Sequence, residues 1–290
     1  MQQALARWWV RILLTLLAVA ALVSIMAVLP TAWMGSTVGP LVFYAPLTFL
    51  MIGIEKMRKG GTAACAGLPL RQTIGRELLS GTSIAMLMLT VVAVVAWFLG
   101  ATWTTVGTGA FPFIMFMIAA AGEEILFRGT IFQALEERFG SIAAVSTTSL
   151  LFGVAHLSND GADLLAVVNV SLAGILLGTM ASVTRSLWPG IAFHIVWNVL
   201  VALCFGAVSG NGVDGAIVTM DVSHVAPSLQ WLVTGTFGIE HGLVTTLLLA
   251  IATWIVARRL PWNPYVAAAR ARRRFAEQAV TIEQQSPSTT

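Results

Sequence analysis

Long apolar runs are the feature that most limits how this chain can fold. Eight runs approach the length of about 20 residues that an α-helix needs to cross the hydrocarbon of a bilayer. Charged residues make up 10% of the sequence, too few to cover a soluble globule, where about 25% is usual. The sequence therefore predicts an all-α fold, a polytopic membrane helix bundle of about eight transmembrane helices. The runs cover residues 8–29, 38–55, 79–100, 109–127, 142–157, 163–183, 187–207 and 237–257.

The basic residues follow one set of ends of these runs. All 16 Lys and Arg residues precede or enter run one, or lie in the connections that follow runs two, four, six and eight. None lies in the other connections, which cover 30–37, 101–108, 158–162 and 208–236. Because positively charged connections stay in the cytoplasm, both termini are predicted to be cytoplasmic and the number of spans to be even. We expect a multi-pass protein of a bacterial inner membrane, with the lipid bilayer as partner and no nucleic-acid partner.

The distribution of polar residues divides the chain into four parts. Residues 1–78 hold two spans and a cytoplasmic connection, and 79–207 form a membrane core with the unusual polar residues. Residues 208–260 hold an outer connection and the last span. Residues 261–290 form a basic cytoplasmic tail, which we interpret as a topology anchor in preference to a lipid-specific helix.

Ionisable residues at the end of run four are costly in a membrane and therefore indicate function. Glu124 and Arg128 are four residues apart, in the order that favours an ion pair on one helix face, so both are predicted to support the structure. Glu123 lies about 100° around the helix from Glu124 and is free to face another group. A carboxylate that only reaches back to the membrane interface is the alternative for Glu123.

Two later segments add histidines and an amide. Glu123 lies 17 residues before the turn at Gly140 and His156 lies 16 residues after it, so a helical hairpin brings both to a matching depth. His194 and Asn198 share one face of the seventh helix. These two could merely hydrogen-bond neighbouring helices, and a lone His156 is more often a packing residue. The matching depth favours a common site.

This combination of side chains suits the hydrolysis of a peptide bond. A glutamate and a histidine that face each other can take a proton from water, and an amide with a second imidazole can donate to the oxyanion that forms. The chain has no Gly-x-Ser-x-Gly and no His-Glu-x-x-His sequence, so serine-hydrolase and ordinary zincin chemistry have no local support. The remaining histidines, His224 and His241, fall on the outer side and are predicted to have no catalytic role.

In order and spacing, these residues resemble the three motifs of the CPBP family, the CAAX-processing and bacteriocin-processing intramembrane endopeptidases, also called the Abi family. The motifs are Glu123-Glu124-x-x-x-Arg128, Phe152-x-x-x-His156 and His194-x-x-x-Asn198. The resemblance covers roughly residues 80–207. It implies that Glu123 and His156 activate water, that His194 and Asn198 form the oxyanion site, and that Glu124 and Arg128 have supporting roles. We expect the partner to be a membrane-tethered peptide or protein substrate, cleaved near the cytoplasmic face.

The sequence leaves a metal-dependent mechanism open. Glu123, His156 and His194 would make a plausible zinc site of two histidines and one carboxylate, with an open position for water. Asn198 is a poor zinc ligand and a good amide donor, which favours a site with no metal and no other cofactor.

A non-catalytic membrane protein is the alternative function. Such a protein would act in immunity, scaffolding or transport and would bind its partner through the same polar core. A transporter is expected to have repeated halves, and no repeat is visible in this sequence. A scaffold has no need for a glutamate, two histidines and an asparagine at matching positions. The substrate stays open, since a prenylated C-terminus, a bacteriocin leader, a sorting tail and an anti-sigma factor all fit a buried hydrolytic site.

Overall fold

Each apolar run contains a helix in the structure, which confirms the all-α prediction. The structure is a computed structural model that describes residues 7–28, 38–59, 66–106, 113–213 and 216–258. A π-helical segment, Ile125–Ile131, joins the fourth and fifth helices, and a 3₁₀ turn, Gly238–His241, precedes the last. The α-helices are α1 (Trp8–Met26), α2 (Val38–Lys59), α3 (Ile74–Phe98), α4 (Phe113–Glu124), α5 (Phe132–Phe139), α6 (Ser141–Ala155), α7 (Leu164–Thr184), α8 (Trp188–Phe205), α9 (Pro227–Gln230) and α10 (Leu243–Ala257).

The lengths of the helices separate full spans from shorter ones. Among the described residues, five helices are long and apolar enough to cross a membrane: α1, α2, α3, α7 and α8. The apolar helices α6 and α10 have 15 residues each, and the π-helical segment interrupts the fourth run. The chain is an integral membrane protein, and its count of eight spans stays a prediction. The basic tail, 261–290, lies outside the described residues.

The centre of the bundle forms where α3, α7 and α8 meet. Met88, Leu177 and Phe193 are buried there, and α6 and α10 both pack against α7. The close contact between α3 and α8 depends on Gly81, since a Cβ at this position would overlap the Pro189 carbonyl. Small residues commonly allow two helices to approach closely in a membrane, where apolar surface alone gives little drive to associate.

Buried ion pairs join the helix ends at the basic end of the bundle. Arg11 of α1 lies 3.1 Å from Glu55 of α2 and 2.6 Å from Glu137 of α5, and Arg58 lies 2.8 Å from each of these glutamates. Because Arg11 and Glu55 are almost fully buried, each depends on the other for its hydrogen bonds. The four charges therefore hold α1, α2 and α5 together at this end.

Two further groups of polar contacts close the same end. Glu136 of α5 pairs with Arg185, in the turn between α7 and α8, and accepts a hydrogen bond of 2.7 Å from the Ser182 hydroxyl. Arg71 pairs with Glu77 of α3 at 2.8 Å and donates to the Thr184 carbonyl at 2.9 Å. The basic residues that predict the orientation thus also fasten the helices to one another.

Short strands lie at the opposite end of the bundle. The strands β1 (Thr102–Thr105) and β4 (Val218–Asp221) pair antiparallel, with Thr102 opposite Asp221. The strands β2 (Ala207–Val208) and β3 (Asn211–Gly212) form a small hairpin directly after α8. These strands follow the ends of α3 and α8, in the connections that carry no Lys or Arg.

The two ends predict a pattern of chemical labelling. In a variant that lacks Cys65 and Cys204, a cysteine at Ser228 is expected to react with a membrane-impermeant maleimide added to intact cells, because its connection carries no positive charge. A cysteine at Lys56 should react only after the membrane is permeabilised. A gel shift of the labelled protein measures both reactions, and the reverse pattern would contradict the orientation.

Candidate active site

The imidazole of His194 lies between the two adjacent glutamates of α4. Its Nδ1 is 3.0 Å from Glu124 Oε1, and its Nε2 is 3.7 Å from Glu123 Oε2. Because a carboxylate only accepts hydrogen bonds, Nδ1 carries a hydrogen and donates it to Glu124. The ring is therefore fixed, and Nε2 is directed to the side of Glu123. The sequence predicts that Glu123 faces His156; the structure places Glu123 beside His194, and all three residues line one cavity.

Glu124 also forms the ion pair with Arg128 that the spacing predicts. Arg128 Nη1 lies 2.9 Å from Glu124 Oε1, and Arg128 Nη2 donates to the Gly174 carbonyl of α7 at 3.2 Å. The guanidinium carbon lies 4.5 Å from the centre of the Phe152 ring, within the range of a cation–π contact. Both charged side chains are 1% exposed. This network connects α4, α6, α7 and α8 behind the site.

The π-helical segment begins directly after Glu124 and contains Arg128. Its wider turns follow the two glutamates, so the ion pair joins the end of α4 to the first turn of this segment. Such π turns inside α-helices occur frequently at functional sites.

Glu123 forms a hydrogen bond with a tyrosine of α2, a helix outside the predicted core of residues 79–207. The Tyr44 hydroxyl of α2 donates to Glu123 Oε1 at 3.0 Å. Gly122 makes room for the Tyr44 ring, since a Cβ at this position would overlap it. The Glu123 side chain keeps 18% of its surface exposed, in contrast to Glu124. One feature of the sequence could have indicated Tyr44: its hydroxyl group lies within an apolar run, and the chain has only two tyrosines.

His156 and Asn198 are the other two predicted site residues. His156 caps the end of α6, and its Nδ1 lies 2.8 Å from the Phe152 carbonyl, so Nδ1 donates and Nε2 carries the lone pair of the neutral ring. Asn198 lies one helical turn after His194 and is 9% exposed. Within the residues that the structure describes, its amide makes no hydrogen bond, which leaves the amide available to a ligand.

A cavity of about 560 Å³ joins these groups. Glu123, His156, His194 and Asn198 all line it, so the structure brings the four predicted site residues to one space. The rest of the wall comes from the start of α2 and α4, from Asn159 and from residues 208–213 around the β2–β3 hairpin. The cavity therefore extends toward the end of the bundle that carries the strands. The sequence predicts cleavage near the basic end, which is expected to be cytoplasmic, and the cavity extends away from that end.

Glu240 is a third carboxylate close to the site, and it is not among the residues that the sequence predicts there. Its Oε1 accepts a hydrogen bond of 3.0 Å from the Trp197 indole, and its Oε2 accepts one from the Ser209 amide. Glu240 lines a smaller pocket that shares His156, His194, Asn198 and Ser209 with the main cavity. Glu240 thus attaches the β2–β3 hairpin to α8, next to the site.

The outer histidines do not join this site. His241 pairs with Asp163 at 2.8 Å, and His224 is exposed. The backbone N–H of Ala166, at the start of α7, is the largest cause that holds the pKa of Asp163 below its usual range. His241 thus helps to cap α7.

The geometry around His194 is compatible with either mechanism, so the zinc alternative stays an alternative to the metal-free prediction. His194 uses Nδ1 for Glu124, which leaves its Nε2, 3.7 Å from Glu123 Oε2, free for a water molecule or another ligand. In the described part of the chain, no three His, Cys, Asp or Glu side chains converge as metal ligands do.

Comparison with known proteins agrees with the motifs. The family model for type II CAAX prenyl endopeptidases, described as Rce1-like, matches residues 105–200. This match contains all three motifs and confirms the resemblance to the CPBP endopeptidases. No curated protein and no solved structure matches the chain.

The different burial of the two glutamates predicts different effects on stability. Glu124→Gln removes the charge that compensates Arg128 inside the bundle, and breaking a buried pair in this way costs about 3–5 kcal/mol. Glu123→Gln is expected to change the stability much less, because Glu123 is partly exposed and an amide oxygen still accepts from Tyr44. Thermal unfolding in detergent, followed by tryptophan fluorescence, measures both variants. Equal melting temperatures would contradict these roles.

Proposed function

We propose that this protein is an intramembrane endopeptidase that hydrolyses a peptide bond in a membrane-tethered peptide or protein. The observation that supports this most strongly is the shared cavity. It holds one partly exposed carboxylate, two imidazoles and an amide, Asn198, that makes no hydrogen bond to any other described residue. The similarity to type II CAAX prenyl endopeptidases over residues 105–200 points to the same reaction.

Glu123 is the base in this proposal. Tyr44 occupies its Oε1, so Oε2 is the oxygen available to a water molecule in the cavity. Oε2 takes a proton from that water, and the lone pair of His156 Nε2 accepts a hydrogen bond from the same water and orients it. The resulting hydroxide attacks the carbonyl carbon of the peptide bond.

Asn198 and His194 stabilise the negative charge that develops on the carbonyl oxygen. The Asn198 amide donates through Nδ2. His194 donates through Nε2 when the ring carries its second proton, a charge that the carboxylates of Glu123 and Glu124 both stabilise. Glu124 positions His194 through Nδ1 and does not touch the substrate.

The second half of the reaction returns the proton. As the tetrahedral intermediate collapses, the carbon–nitrogen bond breaks and Glu123 gives its proton to the leaving nitrogen. Water has then been added across the peptide bond, which yields a carboxylic acid and an amine, and Glu123 is ionised again. The acid passes its proton to the amine, so the released products are a carboxylate and an ammonium group. Arg128 and Gly174 keep Glu124 in place throughout.

Substitutions in the cavity predict a graded loss of activity. Glu123→Gln should abolish cleavage, since an amide cannot accept the proton. Asn198→Ala should slow cleavage by about 10²- to 10³-fold, as the loss of one oxyanion donor does in other hydrolases. His224→Ala, which changes an exposed residue outside the cavity, should have no effect. Mass spectrometry of new protein termini in the membrane fraction measures cleavage. Unchanged cleavage in Glu123→Gln at normal expression would favour a non-catalytic binding protein.

We also propose that no metal takes part in the reaction, because Asn198, which lines the same cavity, suits an oxyanion better than zinc. The purified protein is expected to contain no stoichiometric zinc and to keep its activity in the presence of chelators. Elemental analysis of the wild type and of His194→Ala tests this directly. One zinc per chain in the wild type that is lost in His194→Ala would contradict the proposal and leave the endopeptidase assignment intact.

A further inference from the structure

A buried ion pair lies between the catalytic cavity and the basic end of the bundle. Glu124 contacts His194 of the cavity wall at 3.0 Å, and both Glu124 and its partner Arg128 are almost fully buried. Toward the Arg185 turn lies a separate polar pocket of about 190 Å³, which Arg128 and Glu136 line. The residues that line the cavity and the pocket do not overlap.

The cavity wall at the opposite end consists of backbone and small polar groups. Ser209, Asn211 and Gly212 line it together with Asn159. Asn159 donates to the Ser209 carbonyl at 3.1 Å, which ties the α6–α7 turn to the β2–β3 hairpin. Both segments belong to connections without any Lys or Arg, whereas Arg11, Arg58, Arg71 and Arg185 form their ion pairs at the other end. The positive-inside rule assigns these connections to the extracytoplasmic side.

We propose that the active site opens to the extracytoplasmic face and takes an extended segment of a membrane-anchored protein on that side. This inference rests on the proposed endopeptidase activity and names the class of its substrate. It excludes a cytoplasmic, prenylated C-terminus as the natural substrate of this chain.

The hairpin gives such a segment a place to bind. β3 pairs with β2, and within the described residues it has no other strand neighbour. Asn211 and Gly212 are exposed, and nothing lies within 4 Å of the position that a Cβ of Gly212 would occupy. An extended peptide can add to such an edge through backbone hydrogen bonds, which bind many sequences equally well. Val208 and Val213 offer apolar contacts beside it.

Mapping the cleaved bonds tests the side of the membrane. New protein termini are identified by mass spectrometry in native cells that carry either the wild-type gene or the Glu123→Gln variant. The termini that require Glu123 are expected to lie in extracytoplasmic segments of membrane proteins, near the bilayer. Termini in cytoplasmic segments, prenylated ones included, would overturn this inference and leave the endopeptidase proposal standing. The absence of any Glu123-dependent terminus would overturn the endopeptidase proposal itself.

A charged adduct in the cavity provides a second test. In the variant without Cys65 and Cys204, Asn211→Cys is treated in intact cells with a membrane-impermeant, negatively charged thiol reagent. The adduct is expected to reduce the Glu123-dependent termini at least tenfold relative to the same variant before treatment. Ser228→Cys is the matched control, because it lies in the same connection and outside the cavity, and its adduct should change nothing. Failure of Asn211→Cys to react from outside, while Ser228→Cys does, would overturn the inference.

Discussion

The buried carboxylate of Glu124 is the interaction on which the site depends. Its Oε1 lies near both Arg128 and His194, and Arg128 in turn reaches the Gly174 carbonyl. In a region of low dielectric, each of these groups would be costly without its partners, so the helices that carry them can approach in few ways. The network fixes the depth and rotation of α4 relative to α7 and α8. Glu123 and the free edge of His194 face the cavity as a consequence.

Charge is divided along the bundle in a way that separates stability from chemistry. The arginines at the basic end bind carboxylates of neighbouring helices and hold the helix ends together. The opposite end has short strands and turns, whose backbone groups can be shared with a ligand. The proposed catalytic side chains lie between the two, next to the Glu124–Arg128 pair. In the proposed reaction, the basic end holds the helices together and the opposite end receives the polypeptide.

The sequence predicted the helices well, because long apolar runs and the distribution of basic residues depend on the membrane and not on tertiary contacts. The predicted run 187–207, for example, becomes α8, Trp188–Phe205. The sequence does not predict the π-helical segment, because no distinctive residue composition separates it from the α-helices on either side. It also missed Tyr44 and Glu240, whose contacts join residues 79 and 43 positions apart. The residue count from Gly140 to Glu123 and to His156 predicts the depth of these side chains along the helices. It does not predict the direction in which the cavity opens.

The early end of α6 has a consequence for the surrounding lipid. Its 15 residues span about 22 Å, less than the roughly 30 Å of bilayer hydrocarbon, and Ile142 and Leu150 on its surface are largely exposed. A hydrophobic stretch that is too short is accommodated in part by local thinning of the bilayer. We therefore expect the membrane surface beside His156 to be drawn inward. The proposed hydrolysis consumes one water per bond, and such thinning would shorten the distance that the water must travel.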